Sequence, residues 1–429
     1  MSRTTIVFLA SRALCASLCG LAMLPNSSLW AQANPINTGG TALSLKQAFD
    51  AAWQRQPEAQ SLDQRRDAAE ARRQVAESWT AEPPSLELAA KTDQPLKNQG
   101  DREYALGVTL PLWLPGERSQ SGALAEAELV AVGSRASAAQ LRTAAGVRVA
   151  WWDWQRARVE QILAIERLEN ARRLASDVTK RVKAGDLARS DQHQADGAAA
   201  SAEVALADAA STLATTSQHL RALTGAMPVA GSGDAAEPTP AVPADFSTLD
   251  ATHPAVRELF DRAEVARRVA DLTKIQKRNN PELLLATTRQ RDAFGEAWQQ
   301  TITVGVRFPF GSESRNRAKV GAARAEAIET EGLLHLERQR LVSDLDAARL
   351  LVEAAQARQA ATDKRARLAR ESRAFFEKSF RLGETDLPTR LRIELEAVEA
   401  ERQSTRARID LAASISTLRQ VMGLLPEQK

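Results

Sequence analysis

The chain has 429 residues, with 57 basic against 54 acidic side chains and two cysteines. Without Arg3 and Arg12 the balance is 55 to 54, so the basic pI reflects a slight surplus on a mixed surface and no nucleic-acid partner is expected. Both cysteines, Cys15 and Cys19, lie near the N-terminus, so the remainder can form neither a disulfide nor a thiolate metal site.

A basic start, an apolar run from Leu14 to Leu24 and Ala31-Gln32-Ala33 predict a signal peptide over 1–33, cleaved after Ala33. Lipidation is the alternative, but Leu14 and Leu18 stand where a lipobox wants a small residue. After this leader no apolar run reaches the ~18 residues a membrane helix needs. Barrel strands, short and half apolar, would escape that test.

Compared with itself, the chain is a tandem duplication. A shift of 198 aligns Gly107 with Gly305, Pro111 with Pro309, Gly185 with Gly383, Leu220-Arg221 with Leu418-Arg419 and Gly225 with Gly423. A shift of 197 pairs Pro57 with Pro254 and Pro84 with Pro281. The first repeat is placed at 34–225 and the second at 247–429. Between them, the Pro/Gly-rich segment 226–246 reads as an exposed connector.

Each repeat opens with a moderate helix, predicted at Pro57–Thr80 in the first. Two alternating segments follow, predicted as strands near 85–92 and 104–113. Leu86 and Leu88 supply the apolar face of one, and Leu106, Val108, Leu110 and Leu112 that of the other. In the second repeat the strands fall near 282–289 and 301–310. Their apolar residues are Leu283 and Leu285, then Ile302, Val304, Val306, Phe308 and Phe310. Tyr104, Trp113, Phe294 and Trp298 sit at strand ends, as an interfacial belt would.

A proline-free stretch from Glu117 to Ala184 then predicts a helix of about 100 Å. It turns at Gly185 into a helix near Ser190–Leu223; Pro388 marks the matching start in the second repeat. Val147, Ala150, Trp154, Ala157, Gln161, Ala164, Leu168, Ala171, Ala175, Val178 and Val182 alternate spacings of 3 and 4. The second long helix repeats the pattern from Leu345 to Phe380, with Gln359 matching Gln161. A sustained period of 3.5 means helices wrapped around one another, and the many alanines mean close approach. Trp151, Trp152 and Trp154 are expected to pack between helices.

Two hairpins with apolar faces need a cover, and lipid is the one left over. A membrane sheet must close, which four strands per chain cannot do alone. The barrel is therefore expected to be shared between subunits.

This order resembles the TolC-type outer-membrane efflux proteins. The resemblance spans nearly the whole chain after the leader. Its marks are Gly107-Val108-Thr109-Leu110-Pro111, Gly305-Val306-Arg307-Phe308-Pro309, the tip glycines, Leu223-Thr224-Gly225 and Val421-Met422-Gly423. It implies a mainly α chain with a transmembrane β segment. Three copies would form a homotrimer, with a twelve-stranded barrel in outer-membrane lipid of a Gram-negative cell and a periplasmic coiled-coil tunnel. It also implies a periplasmic adaptor (membrane-fusion) protein and an inner-membrane RND-type pump as partners. Chain length and leader look more like the heavy-metal-efflux, CzcC-like branch, with heavy-metal cations or small toxic compounds as cargo.

The adaptor would meet the helix tips: Lys183, Gly185 and Asp186 in the first repeat, Arg381, Gly383 and Glu384 in the second. Drug-exporting relatives carry acids six and nine positions after the second tip glycine, at the periplasmic gate. Here those places hold Thr389 and Arg392, while Asp191 holds the first equivalent place in the first repeat.

A duct needs no catalytic group or cofactor. Among motifs, no G-x-S-x-G, H-E-x-x-H or phosphate loop appears. His193, His219, His253 and His335 are too dispersed for a metal cage. A non-pore envelope coiled coil and a duct for type I protein secretion remain the other readings.

Overall fold

The computed structural model describes residues 44–95, 98–228, 236–242, 250–310 and 313–427. The expected signal peptide lies outside them.

The chain opens with α1 (Leu45–Gln54), which the sequence reading did not anticipate. Ser44 caps it: the hydroxyl accepts from Gln47 N at 3.2 Å, and the Gln47 side chain accepts from Ser44 N at 2.9 Å. Leu45, Ala48, Phe49 and Ala52 face inward. The helix expected at Pro57–Thr80 is broken near Ser61, giving α2 (Pro57–Gln60) and α3 (Leu62–Glu77).

Strands β1 (Ser85–Thr92) and β2 (Arg102–Pro111) precede the long helix α4 (Glu117–Ala184) and the returning α5 (Arg189–Thr224). The second repeat gives α6 (Pro254–Ile275), β3 (Glu282–Arg291), β4 (Gln299–Arg307), α7 (Glu313–Arg381) and α8 (Leu387–Val421). At 68 and 69 residues, α4 and α7 each run about 100 Å.

Helices α3 and α6 pack on the sheet-proximal part of α4, while α5 and α8 pair with the distal parts of α4 and α7. The 3-4 seam lies inside this bundle. On α4 its residues from Val147 to Val182 are buried or half-buried, and the seam on α7 from Leu345 to Phe380 is likewise. Trp151, Trp152 and Trp154 are buried among helices, and Trp152 Nε1 donates to Ser416 Oγ of α8 at 2.9 Å.

The four strands form one antiparallel sheet in the order β1-β2-β3-β4. Strand β4 stops at Arg307, so Phe308 and Phe310 lie beyond it. Pro309 has no N–H to give a ladder.

In segment 236–242 Pro238, Thr239 and Ala241 are exposed as a connector should be, but Glu237 is not. Glu237 is only 6% exposed, between two buried arginines. Its carboxylate accepts from Arg148 at 2.7 and 3.1 Å, from Arg419 at 3.2 Å and from Ser416. Arg148 also reaches Gln420 Oε1 at 2.6 Å and the Leu424 carbonyl at 3.0 Å. Glu237 thus ties α4 to α8.

Candidate functional site

Three regions position the features a duct would use: the sheet, its junction with the helices, and the helix tips.

Residues paired across the strands share a face. One face carries Leu86 and Leu88 of β1, Leu106, Val108 and Leu110 of β2, Leu283 and Leu285 of β3, and Ile302, Val304 and Val306 of β4. Leu88 is 73% exposed and Ile302 76%, so among the described residues no element covers the middle of this face. The opposite face carries Glu87, Lys91, Glu103, Thr109, Glu282, Thr288, Gln290, Thr301, Thr303 and Arg307. Strands β1 and β4 each have one unpaired edge within the chain. The hairpin connections lie at one end of the sheet and the helices leave from the other.

At the helix end, Glu117 is buried at the start of α4. Its carboxylate accepts from Leu114 N at 2.9 Å, Gln276 at 2.8 Å and Asn280 at 2.7 Å. A further backbone bond joins Leu112 N to the Pro281 carbonyl at 2.7 Å. One carboxylate therefore stitches the β2-to-α4 crossing of the first repeat to the α6-to-β3 crossing of the second. Trp113 joins this junction, donating to the Ser78 carbonyl at 3.1 Å.

At the far end each long helix closes on a left-handed glycine, Gly185 at φ 88° and Gly383 at φ 79°. Asp186 N reaches back to the Arg181 carbonyl at 2.9 Å, and Glu384 N to the Ser379 carbonyl at 3.0 Å. The two repeats thus use the same helix-ending turn. Lys183, Asp186, Arg381 and Glu384 are exposed there.

Sequence reasoning missed what joins the two tips. Phe380, 2% exposed, packs with Leu174, Val178, Ala195 and Leu387. Two guanidiniums flank its ring, Arg181 at 5.0 Å and Arg390 at 4.6 Å. Arg181 also donates to the carbonyls of Phe380 and Arg381, each at 3.3 Å. The signal was present in the seam, where Phe380 is the last member, but its cationic partners lie on other elements.

The candidate gate residues are not gathered into one cluster by hydrogen bonds. Asp191 is half-buried and accepts from Ala188 N at 3.1 Å, capping α5. Arg392 pairs along its own helix with Glu396 at 3.2 Å, and Thr389 is half-buried. Charge concentrates nearby on α7 and α8, where Arg373 lies 3.7 Å from Glu394 and 3.8 Å from Glu401. Burial pushes the Glu394 carboxyl above its ordinary pKa, with Arg373 and Arg390 opposing. Burial likewise lowers the Arg390 guanidinium, which Glu377, Glu394 and Asp177 counter.

Residues 48–226, the first repeat almost entire, match the family described as outer membrane efflux protein. Over that repeat the chain is similar in sequence to the outer membrane efflux proteins. From the helix before its strands onward, the second repeat carries the same order of strand, strand, long helix and returning helix. Solved structures of TolC-type channels share the fold across both repeats. VceC from Vibrio cholerae is 17% identical with a TM-score of 0.68, over 88% of this chain and 96% of that one. CusC is 15% identical with a TM-score of 0.72, over 89% and 92%. The open state of the MtrE outer membrane channel of Neisseria gonorrhoeae is 16% identical with a TM-score of 0.70, over 89% of each chain. No curated protein sequence matches the chain significantly. At these identities the structural likeness bears on the fold. The efflux family is one of channel proteins rather than enzymes.

Proposed function

We propose that this chain is the outer-membrane channel subunit of a tripartite efflux system. Three copies close their four-stranded sheets into a twelve-stranded barrel and continue into a periplasmic helical tunnel. The observation that carries this reading is the sheet: four strands with an apolar face bare to the surroundings, a polar opposite face and two unpaired edges. Such edges do not persist in hydrocarbon unless partner strands satisfy them. Eight or more strands are needed for closure, so one chain is insufficient. A polar face turned inward then lines a wet pore.

Transport through such a duct is passive, driven by an inner-membrane RND-type pump. The exposed tip residues Lys183, Gly185, Asp186, Arg381, Gly383 and Glu384 form the surface for a periplasmic adaptor. Gating falls to the same end, where Asp191, Thr389 and Arg392 stand. The acidic pair of drug-exporting relatives is missing from the second repeat, so ion pairs among mixed charges hold this gate. Each exposed pair contributes little, which suits a closure that must yield.

For cargo we favour heavy-metal cations over small toxic compounds, on the resemblance to the CzcC-like branch. Among the described residues no group of three or more His, Asp or Glu is placed to hold a metal. The cations would pass without a dedicated site. The test is a deletion strain: outer-membrane fractions should lose a heat-modifiable trimer, and cells should become sensitive to divalent metals until the gene is restored. Peripheral material extractable by salt would instead mark a non-pore coiled coil. Unchanged metal tolerance with new sensitivity to organic compounds would assign the other cargo.

A further inference from the structure

The apolar face of the sheet ends, at the hairpin-loop end, in arginines. Arg102 of β2 stands opposite Arg291 of β3, and Arg289 of β3 stands opposite Tyr104 of β2. All four share the face of Leu88, Leu106, Leu285 and Ile302. Trp298, just before β4, lies 5.1 Å below both Arg289 and Arg291 and 5.8 Å from the Tyr104 ring. Phe294 sits 5.4 Å from Arg291.

This corner is held in shape. Phe294 N donates to the Gln99 carbonyl at 2.9 Å, joining the two hairpin loops, and Arg291 Nε donates to the Gly100 carbonyl at 3.3 Å. A side chain on Gly100 would collide with Phe294 N at 2.5 Å, so that position must stay bare.

On the first hairpin, the acids nearest Arg102 have other partners, while Asp292 and Glu296 of the second loop are exposed. Lys91, on the opposite face, takes Asp101 at 3.5 Å and Glu103 at 4.0 Å. Asp93 accepts from Gln99 N at 2.5 Å. Among the described residues no carboxylate pairs with Arg102, Arg289 or Arg291, and Arg102 Nε is buried without a hydrogen-bond acceptor.

Two like charges placed directly opposite on a lipid face repel each other, and a shared anion removes the penalty. We propose that Arg102, Arg289 and Arg291, seated on Trp298 and Tyr104, bind the phosphate of a phosphorylated acyl glycolipid in the outer leaflet. The geometry separates the two halves of such a ligand. Acyl chains run down the apolar face past Leu106, Leu285 and Ile302, while phosphate oxygens meet guanidinium forks at the rim. Guanidinium suits this role because it pairs bidentately with phosphate while stacking on an aromatic ring. The inference rests on the outer-membrane channel reading, which alone puts this face against lipid with the loops outward.

The test uses the full-length protein purified in detergent and presented with lipid A, dephosphorylated lipid A or inorganic phosphate. Retention is read by native mass spectrometry and pore activity by conductance in a phosphatidylcholine bilayer. Wild type should hold lipid A and release the dephosphorylated form, and millimolar inorganic phosphate should not displace it. The variant Arg102→Gln/Arg289→Gln/Arg291→Gln should lose lipid A affinity at least ~10-fold while still conducting. Equal retention of the two lipids, displacement by inorganic phosphate, or undiminished retention by a conducting triple variant would overturn the site. A wild type that never conducts would fail at the channel reading instead, and the site would fall with it.

Discussion

Glu237 is the residue on which the waist of the bundle turns. Its carboxylate faces Arg148 and Arg419, each about as buried as itself. Removing one member of such a cluster leaves uncompensated charge in the interior, at a cost of about 3–5 kcal/mol, whereas replacing the whole set by packed apolar groups is close to neutral. Glu237→Ala should therefore lower the thermal midpoint of the purified protein sharply, and Glu237→Gln by less, since the amide still accepts hydrogen bonds. Adding Arg148→Met and Arg419→Met to Glu237→Met should recover much of the loss. A Glu237→Ala protein as stable as wild type would show that the linker is not clamped. His253 offers a pH-dependent counterpart at the start of α6, where burial holds its pKa below the usual 6.5. The sign follows from linkage. The neutral ring's contribution is present above pH 6.5, and it is lost as pH falls through the lower folded value. His253→Gln should flatten the acid limb of stability against pH, measured by thermal unfolding between mildly acidic and neutral conditions.

At the scale of elements, the helix tips carry the proposed adaptor surface and gate. Neither Gly185 nor Gly383 has a neighbouring atom within 4 Å of the place a Cβ would occupy, so substitution is opposed only by the left-handed backbone. That penalty is about 1–2 kcal/mol for an ordinary side chain, too small to unfold 68- and 69-residue helices. Bulky residues at both positions should therefore abolish export while trimers still assemble, as read by cell resistance beside heat-modifiable mobility on gels. Full resistance in the double variant would remove the tips from the mechanism. What the sequence carried about these elements depended on range. Glycine and proline register and the 3-4 apolar spacing are local, and they placed the long helices, the turns at Gly185 and Gly383, and the alternating faces. The α1 helix escaped notice although Ser44 and Gln47 spell its capping box, because it is short, with four buried residues whose cluster includes the distant Trp151. The burial of Glu237 was illegible for a different reason. Prolines and glycines describe backbone, whereas its two arginines arrive from positions 89 and 182 residues away. The Arg181–Phe380–Arg390 stack likewise pairs the ends of separate repeats, which no periodicity reports.

For the whole molecule the decisive quantity is how its open sheet is completed. No helix among the described residues is long and apolar enough to cross a membrane. The sheet is thus the part of the described chain with a face suited to lipid. Leu88 on edge strand β1 and Ile302 on edge strand β4 lie near mid-strand on that face, two residues along the strands from the level of Tyr104 and Arg289. A charge at the midplane of a lipid-facing barrel surface costs about 2–4 kcal/mol for a basic residue, falling to 0–1 kcal/mol near the interface. In a trimer each substitution is counted three times. Ile302→Lys should therefore block membrane insertion, leaving the protein in the soluble periplasmic fraction or degraded. Thr303→Lys, one residue along and on the opposite face, should insert and alter only conductance and ion selectivity. The contrast between adjacent positions separates a lipid-facing surface from a merely exposed one, because a sheet bathed in water would tolerate both lysines alike. If the two variants partition identically, the sheet does not close in a bilayer, and the long helices would need another explanation.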